Sequence, residues 1–244
     1  HLSIRRQRQM CIRDRRKGVS SLVDKYFDRS TQKNLYMIAL ENALASADYV
    51  VAIIPETFLL SSFPKDRLEL AVVIQDSLFG DTDAPALVAC FTKESCPDAR
   101  IFTGSKPIGK LKLILTLRQS AASKQKIVFN EPTGRIGLRA VDGSDGRSPI
   151  AFMPASEFEY SSKKVMVSSR LMTYLDLPDL SNEEISSVIK RSNSLLAKIR
   201  EDSADLVLAP FKGNDRNGKR RRRLDYALAR RILNEAFAAV KKAE

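Results

Sequence analysis

The chain has 244 residues, enough for one large domain or two modest ones whose core needs no disulfide or metal to hold it. Lysine and arginine number 41 against 29 aspartate and glutamate, a formal net charge of +12, and 43% of residues are hydrophobic; this basic, globular composition excludes whole-chain disorder. The single histidine is His1 and the cysteines are Cys11, Cys90 and Cys96, which excludes histidine-based triads, histidine-ligated zinc and cysteine–histidine proteases.

Residues 1–15 come first. They are arginine-rich, lack a clear hydrophobic period and end in Met10-Cys11-Ile12-Arg13-Asp14-Arg15, a hexapeptide that resembles translated sequencing-adaptor read-through. On that reading they lie outside the fold, and the chain is expected to be a fragment with natural sequence missing upstream. Ser30 or Thr31 is expected to cap a helix with an apolar stripe at Leu35, Ala39, Ala43, Leu44 and Ala47. Residues 49–54 form a continuous apolar run stopped by Pro55, the pattern of a strand buried on both faces of a parallel sheet. Pro64 is expected to open a short helix. Residues 70–75 and 86–92 read as strands joined by a turn-rich loop with Gly80-Asp81-Thr82-Asp83, a closing hairpin on an α/β sheet.

Past Lys93 glycine and proline cluster, so short strands between turns are expected. Residues 126–130 and 135–141 flank Glu131-Pro132-Thr133-Gly134 as a hairpin candidate, and residues 164–170 read as another strand. Ser181 and Glu184 make a capping box before a helical face of Ile185, Val188, Ile189, Leu195, Leu196 and Ile199. A last helix runs through Leu224, Leu228, Ile232, Ala236 and Val240. The change of texture places a domain boundary near residue 98, giving regions 16–98 and 99–244. No run approaches the roughly 20 apolar residues of a membrane span, and three cysteines make no disulfide framework, so a cytoplasmic protein without a membrane partner is expected.

Three pieces in order carry a resemblance: Asn34-Leu35-Tyr36 opening a helix that continues to Leu40-Glu41-Asn42-Ala43-Leu44, then residues 50–59 with Pro55-Glu56-Thr57-Phe58, then Ala86-Leu87-Val88-Ala89-Cys90-Phe91. Together they resemble the later half of a gamma-type, TaqI-like adenine-specific DNA methyltransferase, over about a quarter of the chain. The resemblance implies the C-terminal part of a Rossmann-like class I methyltransferase sheet followed by an α+β DNA-recognition region, with S-adenosylmethionine as cofactor and double-stranded DNA as partner. It implies a cofactor role for Asn34, Leu35, Tyr36 and Pro55, and for Phe91 stacking of the flipped target base. Two departures stand out: the family's glycine-rich cofactor motif and Asn-Pro-Pro-Tyr loop are absent, so this polypeptide is expected to be inactive alone, and Ala39 occupies a place where related enzymes often have an aromatic. A restriction–modification or phage setting follows, with a companion endonuclease that makes no direct contact.

Methylating an adenine amino group needs neither metal nor histidine, because orientation of the nitrogen toward the sulfonium methyl supplies much of the effect. Independently, Lys212, Arg216, Lys219, Arg220, Arg221, Arg222 and Arg223 make a basic run expected in a loop and first helical turn, where it opposes the helix dipole and calls for a phosphate partner. Asp205, Asp215 and Asp225 make no recognisable metal-ligand set, and the last two read as local partners of the arginines. Phe129, Phe152 and Tyr160 are candidates for base stacking, with core packing as the commoner use of strand aromatics. The alternative function is a non-catalytic basic DNA- or RNA-binding protein. A third outcome is a fragment too incomplete to fold, exposing a sheet edge and an apolar face.

Overall fold

The computed structural model describes residues 24–28, 30–74, 85–119 and 125–242, a mixed α/β arrangement with several sheets and four α-helices among those residues. The chain divides into two compact units, and the division falls between Leu111 and Lys112. Sequence texture changes earlier, near residue 98, but the strands beyond it hydrogen-bond back into the first sheet.

In the first unit α1 (Leu35–Ser46) leads into β1 (Val50–Pro55), followed by a 3-10 turn at Glu56–Leu60, β2 (Leu68–Val73), β3 (Ala86–Phe91), β4 (Arg100–Thr103) and β5 (Lys106–Lys110). The sheet order is β1-β3-β2-β4-β5. Strand β3 is antiparallel to both β1 and β2, so those two run in one direction with a reversed strand between them, and β4 adds parallel to β2. The expected hairpin of β2 on β3 is present. Its connecting Gly80-Asp81-Thr82-Asp83 lies outside the described residues.

Four local expectations are corrected. Strand β1 ends the sheet order instead of sitting inside a parallel sheet, and Tyr49, Val51 and Ile53 are 74%, 72% and 51% exposed on one face while Ile54 is buried. An unbroken β-branched run specifies a strand but not what covers it. The helix cap is Asn34, in extended conformation without a side-chain cap bond; Ser30 instead donates to Glu41 and accepts from the Gln32 N–H. Helix α1 buries Leu35, Tyr36, Met37 and Ile38 all around its first turn, with Ala39 and Ala47 exposed, in place of a clean stripe. No helix follows Pro64. The C-terminal carbonyls that a helix leaves without partners are taken up by Arg67, whose guanidinium donates to Leu44, Ala47 and Asp48 and also to the Thr92 carbonyl.

Helix α2 (Leu111–Thr116) begins at the boundary. The second unit holds β6 (Val128–Phe129), β7 (Ile136–Arg139), β8 (Ala151–Pro154), β9 (Met172–Asp176), α3 (Asn182–Asp202), β10 (Ala209–Asn214), β11 (Arg220–Arg223) and α4 (Tyr226–Val240). Its larger sheet is antiparallel in the order β6-β9-β7-β8. The expected hairpin across residues 131–134 is therefore corrected: β9 inserts between β6 and β7. The turn is shaped around that strand, with the Glu131 N–H on the Tyr174 carbonyl and Gly134 so close to Leu175 that a Cβ would sit 2.6 Å from its oxygen. Residues 164–170 are not a strand either; the extended segment starts at Met172.

Both bonds of the Ser181–Glu184 capping box form, and α3 turns Ile185, Val188, Ile189, Leu196 and Ile199 inward. It packs against α4 and β8; α4 is capped by Asp225, whose carboxylate accepts from the Leu228 N–H. Gly137 on β7 is required sterically, because a Cβ there would lie 2.3 Å from the Phe158 ring. Gly137→Ala is expected to push Phe158 off its edge contact with Tyr174 and cost about 1–3 kcal/mol, read as a lower urea midpoint at unchanged slope.

Candidate functional site

Helix α1 and β1 are joined by three residues and are in contact. Pro55 closes β1 at its carboxyl end. Ligands in open α/β sheets favour this end. Leu35 and Tyr36 are buried, Asn34 and Pro55 half-buried, and the Asn34 amide faces the Met37 sulfur at 3.9 Å. The buried carboxylate of Glu56 follows directly.

The register places Phe91 elsewhere. Phe91 pairs with Val50 and Ala86 with Pro55, so Phe91 stands five strand residues, about 17 Å, from the Pro55 end. Its ring is 2% exposed and meets Phe58 edge-on at 6.0 Å. A base could reach it only after those neighbours moved. The same pocket of rings holds Lys65, a group the sequence reading missed: its ammonium donates to the Ser61 and Phe63 carbonyls and lies 5.2 Å from the Phe58 ring centre, and burial lowers its pKa to about 8.

In the second unit the four consecutive arginines are a strand, not a loop entering a helix. Along β11 side chains alternate, so Arg220 and Arg222 point to one face and Arg221 and Arg223 to the other. A strand carries only a small net dipole, so the opposition expected of a cationic helix start does not arise. Arg222 is buried, and Arg221 donates to the Asp142 carbonyl while covering Phe211 at 5.0 Å. Lys219 reaches Asp205 at 3.3 Å. Lys212 and Arg216 remain exposed, without an ion-pair partner among the described residues, so the outward positive charge of this hairpin rests mainly on them and on Lys219.

Behind the hairpin lies a network that no local sequence pattern announces. The Arg200 guanidinium, near the end of α3, donates to Asp142 at 2.8 and 3.0 Å and to Asp205 at 2.7 and 3.1 Å. Asp142 also accepts from the backbone N–H of Ile150 and Arg222. Burial works to raise the Asp142 pKa; Arg200 and the two N–H groups outweigh it and hold the carboxyl below its ordinary value. Burial likewise opposes the Arg200 charge, and the two carboxylates more than compensate. A groove of about 580 Å³ opens beside this network, with Asn217, Lys219, Arg220 and Arg221 on its walls.

Asp215 closes its own turn by accepting from the N–H groups of Asn217 and Lys219. Asp225, expected beside the arginine run, pairs instead with Arg118 at 2.6 Å. Among the described residues no group of three or more metal-ligating side chains converges, and no helix is long and apolar enough to cross a membrane. Of the three candidate stacking aromatics, Phe152 is buried, Tyr160 tilts against Phe158, and Phe129 stacks on Tyr226 at 4.5 Å beneath the Arg230 guanidinium. No protein-family model, curated protein or solved structure matches this chain.

Proposed function

We propose that the chain is the C-terminal portion of an S-adenosylmethionine-dependent DNA adenine-N6 methyltransferase, inactive alone, whose second unit meets double-stranded DNA in the cytoplasm. The observation that supports the reading is an α1–β1 unit feeding a sheet in which a reversed strand, β3, separates β1 and β2, which run in one direction. The β2–β4 pair of this sheet is parallel and the β1–β3, β2–β3 and β4–β5 pairs are antiparallel, so the sheet is mixed. Leu35, Tyr36 and Pro55 would offer a cofactor only apolar contact and Asn34 a polar one, and Leu35 and Tyr36 are themselves buried. When bound, the cofactor would supply the electrophilic methyl; these residues would only bind and orient.

A second reading, a non-catalytic DNA- or RNA-binding protein, is favoured by exposed Lys212 and Arg216 on the hairpin. Both readings meet in one test. The chain is assayed for duplex binding across a salt series, and the product of its uninterrupted gene for transfer of tritiated methyl to unmethylated DNA. We expect label on adenine N6 from the complete product, none from this chain alone, and salt-dependent duplex binding whose slope falls by about 2 when Lys212 and Arg216 become alanine. Duplex or RNA binding with no label from the complete product overturns the enzyme and leaves the binder.

A further inference from the structure

Residues 163–171 form an exposed segment that neither the sheet nor the basic hairpin accounts for. At its tip Val167 is 97% exposed, the most exposed large hydrophobic side chain among the described residues, and Met166 beside it is 65% exposed. The tip is nevertheless held. The Ser169 N–H donates to the Met166 carbonyl while the Met166 N–H donates to the Ser169 hydroxyl, closing the turn on itself. From beneath, the Asn130 amide donates to the Val167 carbonyl at 2.7 Å, and the Tyr226 hydroxyl shares its proton between the Ser169 carbonyl and Asn130 Oδ1. Asn130 sits at a φ of +58° and also accepts from Thr173, and Tyr226 is backed by the stacked Phe129 ring. A polar scaffold therefore presents two bare apolar side chains to solvent.

The surroundings are cationic. Exposed Lys163 and Lys164 precede the tip and exposed Arg170 follows it, with no acidic residue between Glu159 and Asp176. A cavity of about 270 Å³ joins Val167, Ser169 and Arg170 to Arg223 of the arginine strand. The carboxylate on its rim, Asp225, is paired with Arg118. An apolar point ringed by positive charge on a preorganised backbone complements a partner with an apolar slot between two rows of negative charge. Duplex DNA has that form at a base step flanked by phosphates, and apolar side chains inserted there unstack and kink it. Two side chains make too small an apolar face for a bilayer anchor.

We propose that residues 163–171 are a DNA wedge: Met166 and Val167 enter a base step while Lys163, Lys164 and Arg170 hold the flanking phosphates. This rests on the reading that the second unit meets duplex DNA. The test uses the whole chain with duplexes carrying 2-aminopurine at successive steps, and follows unstacking by fluorescence and affinity by anisotropy. The chain is expected to brighten 2-aminopurine on binding. The double variant Met166→Ser and Val167→Ser should keep its urea midpoint, lose most of the brightening and bind about tenfold more weakly. Replacing Lys163, Lys164 and Arg170 with alanine should lower the salt slope by about 3 while saturated complexes still brighten. If the chain binds duplex but the double variant brightens and binds as the parent does, the wedge is overturned and the DNA reading stands. If the chain binds no duplex, or binds anionic vesicles through Met166 and Val167 instead, both fall.

Discussion

Replacing Phe91 with alanine will unfold the first unit more readily by about 3–5 kcal/mol, because the ring is fully packed and its removal leaves a cavity that the sheet cannot collapse to fill. Phe91 stands opposite Val50 and Leu68 in neighbouring strands, with the Phe58 ring edge-on to its own. Phe91→Leu, which keeps most of the volume, should cost less than about 1.5 kcal/mol. Far-ultraviolet circular dichroism against urea checks both, the chain having no tryptophan. A base-stacking residue would behave differently: Phe91→Ala would leave the urea midpoint near that of the parent and change only the capture of a flipped adenine. A midpoint unchanged by Phe91→Ala would return the residue to the site and refute its role in the core.

Phe91 also illustrates what a sequence can say about a site. Residues 86–91 are legible as a strand from their apolar run, and Phe91 is legible as its end. Which end of the sheet that is depends on strand direction, and β3 is reversed relative to β1. Direction comes from topology, and the pairing sets Phe91 opposite Val50, at the end of β1 away from Pro55. Local signals fared better. The Ser181–Glu184 box forms as expected, the stripe of α3 buries all its expected residues except half-buried Leu195, and the closing hairpin forms with its first strand at 68–73 where 70–75 was expected. Contacts between distant segments were invisible: β9 inserting beside β7, Arg67 gathering the last carbonyls of α1, and Asp142 meeting Arg200. Four arginines in a row carry no apolar period, so their strand could be found only through the pairing of Arg222 with Pro210 and of Arg223 with Ala209. On the exposed side, Met166 and Val167 looked like a strand because apolar residues in a short run read the same whether they face a core or water.

The arginine with the most at stake lies outside that run. Arg200→Ala is expected to cost about 3–5 kcal/mol, since it strips half-buried Asp142 of its guanidinium partner and leaves buried Asp205 with Lys219 alone. Asp142 lies beside the hairpin whose Arg222 N–H it accepts and whose Arg221 donates to its carbonyl, so the loss should loosen β10 and β11 as well. Urea unfolding measures the first effect, and hydrogen exchange at the Arg222 amide the second. The pH dependence follows from the depressed Asp142 carboxyl. Near and below its ordinary value of 3.8 the unfolded chain binds a proton that the folded one refuses, so acid favours unfolding. The contribution is fully present above that pH and fades as pH falls through the lower folded value. Asp142→Asn should flatten this acid limb while lowering stability at neutral pH. A parent and an Asp142→Asn variant with parallel stability curves down to pH 2 would show that the carboxylate is not what binds Arg200 into the fold.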